Sequence, residues 1–141
     1  MIACVCLFSV CSVCLADIDK PIEVENLPSS ARTMVQKYFS KEKVTLVKEE
    51  WGFFEKSYDI IFTSGTKIEF DRNGNWTEIS CKGTSVPQSL VPAAITKYVG
   101  HRNPSVNIIG IERDRHGYDI KLSNRTELEF DKKFRLTDID D

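Results

Sequence analysis

Residues 58–79, YDIIFTSGTKIEFDRNGNWTEI, return sixty residues later as residues 118–139, YDIKLSNRTELEFDKKFRLTDI. Nine of the twenty-two aligned positions are identical in the two segments: Tyr58, Asp59, Ile60, Thr66, Glu69, Phe70, Asp71, Thr77 and Ile79. Unrelated segments of this length would share about one or two. The chain therefore carries an internal repeat, and a repeat limits it to folds in which one local structure occurs twice.

The apolar spacing extends the repeat upstream. Ala31, Met34, Val35, Tyr38 and Phe39 fall at i, i+3, i+4, i+7 and i+8, one apolar face of an amphipathic helix. Val91, Ala94, Ile95, Tyr98 and Val99 repeat that face sixty residues on. Pro28 suits a first helical turn, where its missing N–H costs nothing. Pro92 starts the second helix, and Gly100 offers it a C-terminal stop. After each helix the period changes from 3.6 to 2. Strands are predicted at 43–50, 57–62, 67–71 and 76–80, and again at 105–113, 118–122, 127–131 and 136–139, with Gly, Asn and Asp in the turns between them. Each half is thus a helix followed by a four-stranded antiparallel meander. One half alone is about sixty residues, marginal for a core of its own, so the expected fold is α+β. The two halves then share a continuous sheet of about eight strands with both helices on one face.

Alternation sorts the side chains between two faces. Tyr58, Ile60, Phe62, Ile68, Phe70 and Ile79, with Tyr118, Ile120, Leu122, Leu128, Phe130 and Ile139, should meet the helices. The open face should receive Asp59, Lys67, Glu69, Asp71, Trp76 and Glu78 from the first half, and Asp119, Lys121, Glu127, Glu129, Asp131 and Asp138 from the second. Trp51, Phe53 and Phe54 gather near the tip of the first hairpin, and aromatic groups among polar ones are what an interface hot spot needs.

Residues 1–16, MIACVCLFSVCSVCLA, contain no charge and end in small residues. They read as the apolar core of a signal peptide, too short for the roughly 20 residues of a membrane span. Lipidation at Cys11 or Cys14 is the alternative, and only then would a membrane be a partner. Four of the five cysteines lie in this segment, which leaves Cys81 without a disulfide partner in an exported protein. It shares a strand face with Ile79 and reads as a small buried hydrophobe. The expected division is therefore a signal peptide at 1–16, a polar lead-in at 17–26, repeat 1 at 27–81, a linker at 82–85 and repeat 2 at 86–141.

The motif set LPxxA-helix, then YDI, G-x-K-IEFD and G-x-W-x-EI resembles the PepSY-like family of periplasmic proteins. It is carried by Leu27, Pro28 and Ala31, then Tyr58, Asp59 and Ile60. Gly65, Lys67, Glu69, Phe70 and Asp71 follow, with Gly74, Trp76, Glu78 and Ile79 completing it. The second copy matches at Val86, Pro87, Tyr118, Asp119, Ile120, Glu127, Glu129, Phe130 and Asp131, but has Phe134 for Gly74 and Leu136 for Trp76. The resemblance implies an exported bacterial protein whose fold is like that of the β-lactamase inhibitor protein. It implies restraint of an envelope enzyme or peptidase as one role, without assigning residues to it.

Few motifs carry chemistry. A net charge of -2 gives no basic surface for nucleic acid. The Asp71-x-Asn73-Gly74 run puts Gly fourth and Lys82 twelfth, where a calcium loop of the EF-hand type needs Gly sixth and Glu twelfth. No Ser-His-Asp order, HExxH, CxxC or phosphate-cradling loop is present. Carboxylates on an open sheet face are expected to be solvated and of ordinary acidity. No catalytic residue, metal ligand or cofactor is assigned. The sequence therefore points to a non-enzymatic exported binding module for a protein or peptide of the cell envelope. Its candidate contact residues are Trp51, Phe53, Phe54, Trp76, Lys67, Glu69, Glu78, Lys121, Glu127 and Glu129. A strand edge open to an added β-strand is a second route. The alternatives are a small-ligand or cation-binding envelope protein and a structural one.

Overall fold

A computed structural model describes residues 18–52 and 55–141. The signal-peptide expectation for 1–16, and the positions of Phe53 and Phe54, lie outside the described residues. The chain forms β1 (Ile18–Pro21), α1 (Ser29–Tyr38), β2 (Val44–Trp51), β3 (Lys56–Phe62), β4 (Lys67–Phe70) and β5 (Trp76–Ser80). It continues through α2 (Ala93–Arg102), β6 (Ile108–Arg113), β7 (Gly117–Leu122), β8 (Glu127–Asp131) and β9 (Leu136–Asp140). Short 3₁₀ turns at Val24–Asn26 and Gln88–Leu90 lead into the two helices.

All strands join one antiparallel sheet in sequence order, β1 to β9, with every neighbour pair antiparallel. Among the described residues the sheet has nine strands where eight were expected. The extra one is the lead-in, whose Ile18, Asp19, Lys20 and Pro21 pair with Trp51, Glu50, Glu49 and Lys48 on the edge of β2. Four residues with so little alternation give no strand signal, and the pairing comes from the free edge of β2. α2 runs to Arg102 and passes through Gly100, around which a Cβ would find open space. Nothing there forces a stop.

Both helices lie over the same face. Ala31 and Val35 of α1 and Ile95 and Val99 of α2 are buried with Ile60, Ile68, Phe70, Ile79, Ile111, Ile120, Leu128 and Phe130 in one core. Phe39, after α1, stacks on Phe62 at 5.6 Å, and Tyr98 of α2 meets Phe130 edge-on at 5.5 Å. Cys81 is buried, and burial pushes its thiol above the ordinary range, which suits an inert packing role.

β-Bulges interrupt the alternation. Glu69 pairs with Glu78 and Phe70 with Trp76, so Thr77 is the unpaired extra residue of β5. One extra residue flips what precedes it. Trp76 therefore lies on the helix side, buried beside Phe70, and the expectation that it belongs to the open face is corrected. The Arg113 guanidinium covers its ring at 3.7 Å, and Arg113 Nε donates to the Trp76 carbonyl at 2.8 Å. That contact locks β5 to β6, where the two halves of the sheet meet.

Candidate functional site

The face without helices is open, and the strand register decides what stands on it. Reading straight across the sheet, Lys48 opposes Asp59, Asp59 opposes Glu69, and Glu69 opposes Glu78. The row continues as Glu78 to Glu112, Glu112 to Asp119, Asp119 to Glu129 and Glu129 to Asp138. Seven carboxylates from β3 to β9 thus stand directly opposite one another, with no cation in the row after Lys48. Directly opposed like charges destabilise a sheet pair, and here the arrangement repeats across seven strands. A second row beside it runs Lys67, Ser80, Gly110, Lys121, Glu127, Asp140.

At the β2–β4 end the acids are crowded and partly covered. Asp59 is 1% exposed, although it lies on the open face. Lys67 Nζ and Lys48 Nζ stand 3.5 and 3.8 Å from its Oδ2, and neither carboxylate oxygen has a hydrogen-bond partner among the described residues. Burial, reinforced by Glu50 and Glu69 and opposed by Lys67, lifts its pKa from 3.8 to about 6. Glu69 rises further, from 4.5 to about 7, because Glu78 opposite it is close enough to share a proton and because it is partly buried. Lys48 is anchored by Glu50 at 3.1 Å and Asp19 at 3.2 Å, and these bonds raise its pKa. One oxygen each from Glu50, Asp59 and Glu69 lies within 4.8 Å of the others. The expectation of solvated carboxylates with ordinary acidity is corrected at Asp59 and Glu69.

At the β6–β9 end the acids are exposed and unbalanced. Glu78, Glu112, Asp119, Glu129 and Asp138 line a groove of about 340 Å³, flanked by Glu127 and Asp140. Gly110 leaves its floor low. Among the described residues Lys121 is the one cation in the lining, 3.6 Å from Glu127. Burial and the neighbouring Asp119 raise the pKa of Glu112, burial and Asp114 raise that of Asp119, and Asp119 raises that of Glu129.

Among the candidate contact residues, Lys67, Glu69, Glu78, Lys121, Glu127 and Glu129 come together on this face. Trp51 does not join them. It stands two residues after Glu49, which pairs with the core residue Tyr58, so it extends the helix-side face of β2. There it is 49% exposed, with its indole N–H on Glu49 at 2.9 Å and Lys56 5.0 Å from its ring. Glu50 of β2 and Glu112 of β6 also stand on this face, and neither is among the residues expected there. Both strands carry a bulge, at 44–46 and at 108–110. Alternation counted from Val44 and Leu46 or from Val106 and Ile108 would turn Glu50 and Glu112 toward the helices, so only the register places them on the open face.

The family model described as "Putative beta-lactamase-inhibitor-like, PepSY-like" matches residues 56–138. Among solved structures, the chain is similar to a putative calcium-regulated periplasmic protein from Bacteroides thetaiotaomicron. The two share 53% identity over 87% of this chain and 97% of that one, with a TM-score of 0.86. It is similar to a putative periplasmic protein of the DUF2874 family from Bacteroides vulgatus, at 49% identity, the same coverage of both chains and a TM-score of 0.85. A second Bacteroides vulgatus protein, putatively periplasmic and of unknown function, is 37% identical, with 89% of this chain and 100% of that one covered and a TM-score of 0.82. No curated protein matches the chain.

Proposed function

This chain belongs to the PepSY-like family of periplasmic proteins, and from that premise we propose that it is a non-enzymatic binding module whose open sheet face takes a positively charged ligand. The module is built from two copies of one helix-plus-meander unit, at 27–81 and 86–141, after a cleaved signal peptide at 1–16. Its place is the periplasm, and no helix among the described residues is long and apolar enough to cross a membrane. The observation that carries the reading is the single-file row of seven carboxylates, from Asp59 to Asp138. A protein that needed only to fold would gain by breaking that row with lysine or threonine. Positive charge supplied from outside relieves the repulsion, so the stored energy becomes binding energy.

A basic segment of an envelope protein, such as an enzyme or peptidase, fits the β6–β9 groove best. It is long, acidic and uncovered, and complementary charge would steer the encounter. Calcium is the second reading, favoured by the description of the 53% identical relative as calcium-regulated. The test is anisotropy of a fluorescent oligolysine peptide at low salt. Binding should weaken as salt rises and fall about tenfold in a Glu112→Gln/Asp119→Asn/Glu129→Gln variant. Equal affinity in the two proteins would remove the open face from the role.

A further inference from the structure

The β2–β4 end of the row differs from a plain acidic patch in one respect. Asp59 is both buried and short of partners: 1% exposed, with no hydrogen bond to either carboxylate oxygen among the described residues. The two ammonium groups near it stand at 3.5 and 3.8 Å, beyond the roughly 2.7–2.9 Å of a charge-assisted hydrogen bond. A carboxylate taken out of water needs closer compensation than that.

The geometry supplies a place for it. Oxygens of Glu50, Asp59 and Glu69 lie within 4.8 Å of one another. Calcium holds its oxygens at about 2.3–2.6 Å, so two ligands on opposite sides of one ion are about 4.8 Å apart. We propose that Glu50, Asp59 and Glu69 form a calcium site in which Lys67 is a placeholder that leaves when the ion arrives.

The two lysines are not equivalent. Lys48 is tied to Asp19 and Glu50 at 3.2 and 3.1 Å, with its side chain only 21% exposed. Among the described residues Lys67 is paired to Asp59 alone, and its side chain is 41% exposed, so its stem can swing into water. With Lys67 gone, the charges of the three carboxylates less that of Lys48 leave two negative charges, which one divalent ion neutralises. Ligands made only of oxygen select hard cations. Carboxylates on three separate strands tolerate the variable coordination of calcium better than the strict octahedron of magnesium. No spacing in the sequence shows this site, because its ligands meet only through the register of β2, β3 and β4.

The proposal rests on the reading that the open face recruits positive charge, and names the ion for one end of it. Calcium is titrated calorimetrically into EDTA-stripped protein at neutral pH. One site is expected. Asp59→Asn should weaken it about tenfold, and Lys67→Met should tighten it about threefold by removing the competing ammonium. Thermal melts in EDTA establish that both variants fold. The proposal is overturned if the wild type takes up no calcium, if Asp59→Asn binds as the wild type does, if Lys67→Met binds more weakly, or if magnesium binds equally well. Oligolysine binding separates the two ideas. It should survive Asp59→Asn, so a protein that holds the peptide but not calcium refutes the ion site alone. One that holds calcium but not the peptide refutes the groove alone.

Discussion

The two halves of the sheet place the same Tyr-Asp-Ile strand in opposite surroundings. In the first, Asp59 sits between Lys48 and Glu69, with Lys67 beside it, and is buried. In the second, Asp119 sits between Glu112 and Glu129, with Glu127 where the first half has Lys67, and is exposed. The helix side differs in the same sense. The β4–β5 turn tucks Gly74 against the start of α1, where the Ser30 hydroxyl donates to the Asn73 carbonyl at 2.7 Å. The β8–β9 turn instead carries Phe134, 40% exposed and leaning on Tyr118 at 5.6 Å. One half has been closed by packing and charge pairs to its row of acids, while in the other the row Glu112, Asp119, Glu129 and Asp138 has no ion pair among the described residues. The proposed division, a large external ligand at the β6–β9 half and an ion at the β2–β4 half, rests on that difference.

Exchanging the turn residues should expose that difference most sharply. Gly74 has φ +87, and a Cβ there would collide with the Ser30 hydroxyl and lie 2.8 Å from the Pro28 Cβ. Gly74→Ala combines left-handed strain with a clash against a helix start and should cost about 3 kcal/mol in denaturant melts. Phe134 already holds the matching conformation, φ 63, without glycine. Phe134→Gly relieves that strain and loses the Tyr118 contact, and should change stability by less than about 1 kcal/mol. Equal costs in the two turns would mean that the halves are packed alike.

Titration gives the next largest effect. Asp59 and Glu69 have folded pKa values of about 6 and about 7, above their ordinary 3.8 and 4.5. The folded state therefore holds these protons more tightly than the unfolded chain. The resulting stability is fully present below about pH 4 and is lost as pH rises through 6 to 7. In EDTA the protein should melt higher at pH 5 than at pH 8, by on the order of 2 kcal/mol. Acid-induced effects from other carboxylates run the opposite way, so the halves must be compared by mutation. Asp59→Asn/Glu69→Gln should remove most of the difference. Asp119→Asn/Glu129→Gln should remove little, because solvent screens that end of the row. If the second pair flattened the profile instead, the electrostatic stress would lie in the open groove.

Much of this was legible in the sequence, and the failures have physical causes. The sixty-residue offset and the period-2 pattern place Asp59, Glu69, Glu78, Asp119, Glu129 and Asp138 on one face, six of the seven carboxylates in the row. Trp76 was misplaced because Thr77 forms a bulge, and a bulge leaves no mark in a count of alternation. The strand β1 was missed because four residues pair through backbone groups at a free edge rather than through an apolar pattern. The burial of Asp59 was out of reach for a different reason. It depends on side chains from β2 and β4 closing over β3, contacts that only the register creates.

The smallest effect tests why the second half lacks its lysine. Glu127 aligns with Lys67 sixty residues earlier, faces Lys121 at 3.6 Å, and is exposed. Glu127→Lys would break that pair and place a cation beside Glu129 and Asp140, recreating the pattern of the first half. An exposed pair is worth little, so the stability change should stay within about 0.5 kcal/mol. Removing one negative charge and adding one positive at the groove should still weaken oligolysine binding about threefold at low salt, an effect that fades as salt rises. A silent stability measurement with weakened binding would show that the acid at 127 serves the ligand. A gain of 1 kcal/mol or more with binding unchanged would show that it is a local fault in the sheet, and the contrast between the two halves would lose its functional meaning.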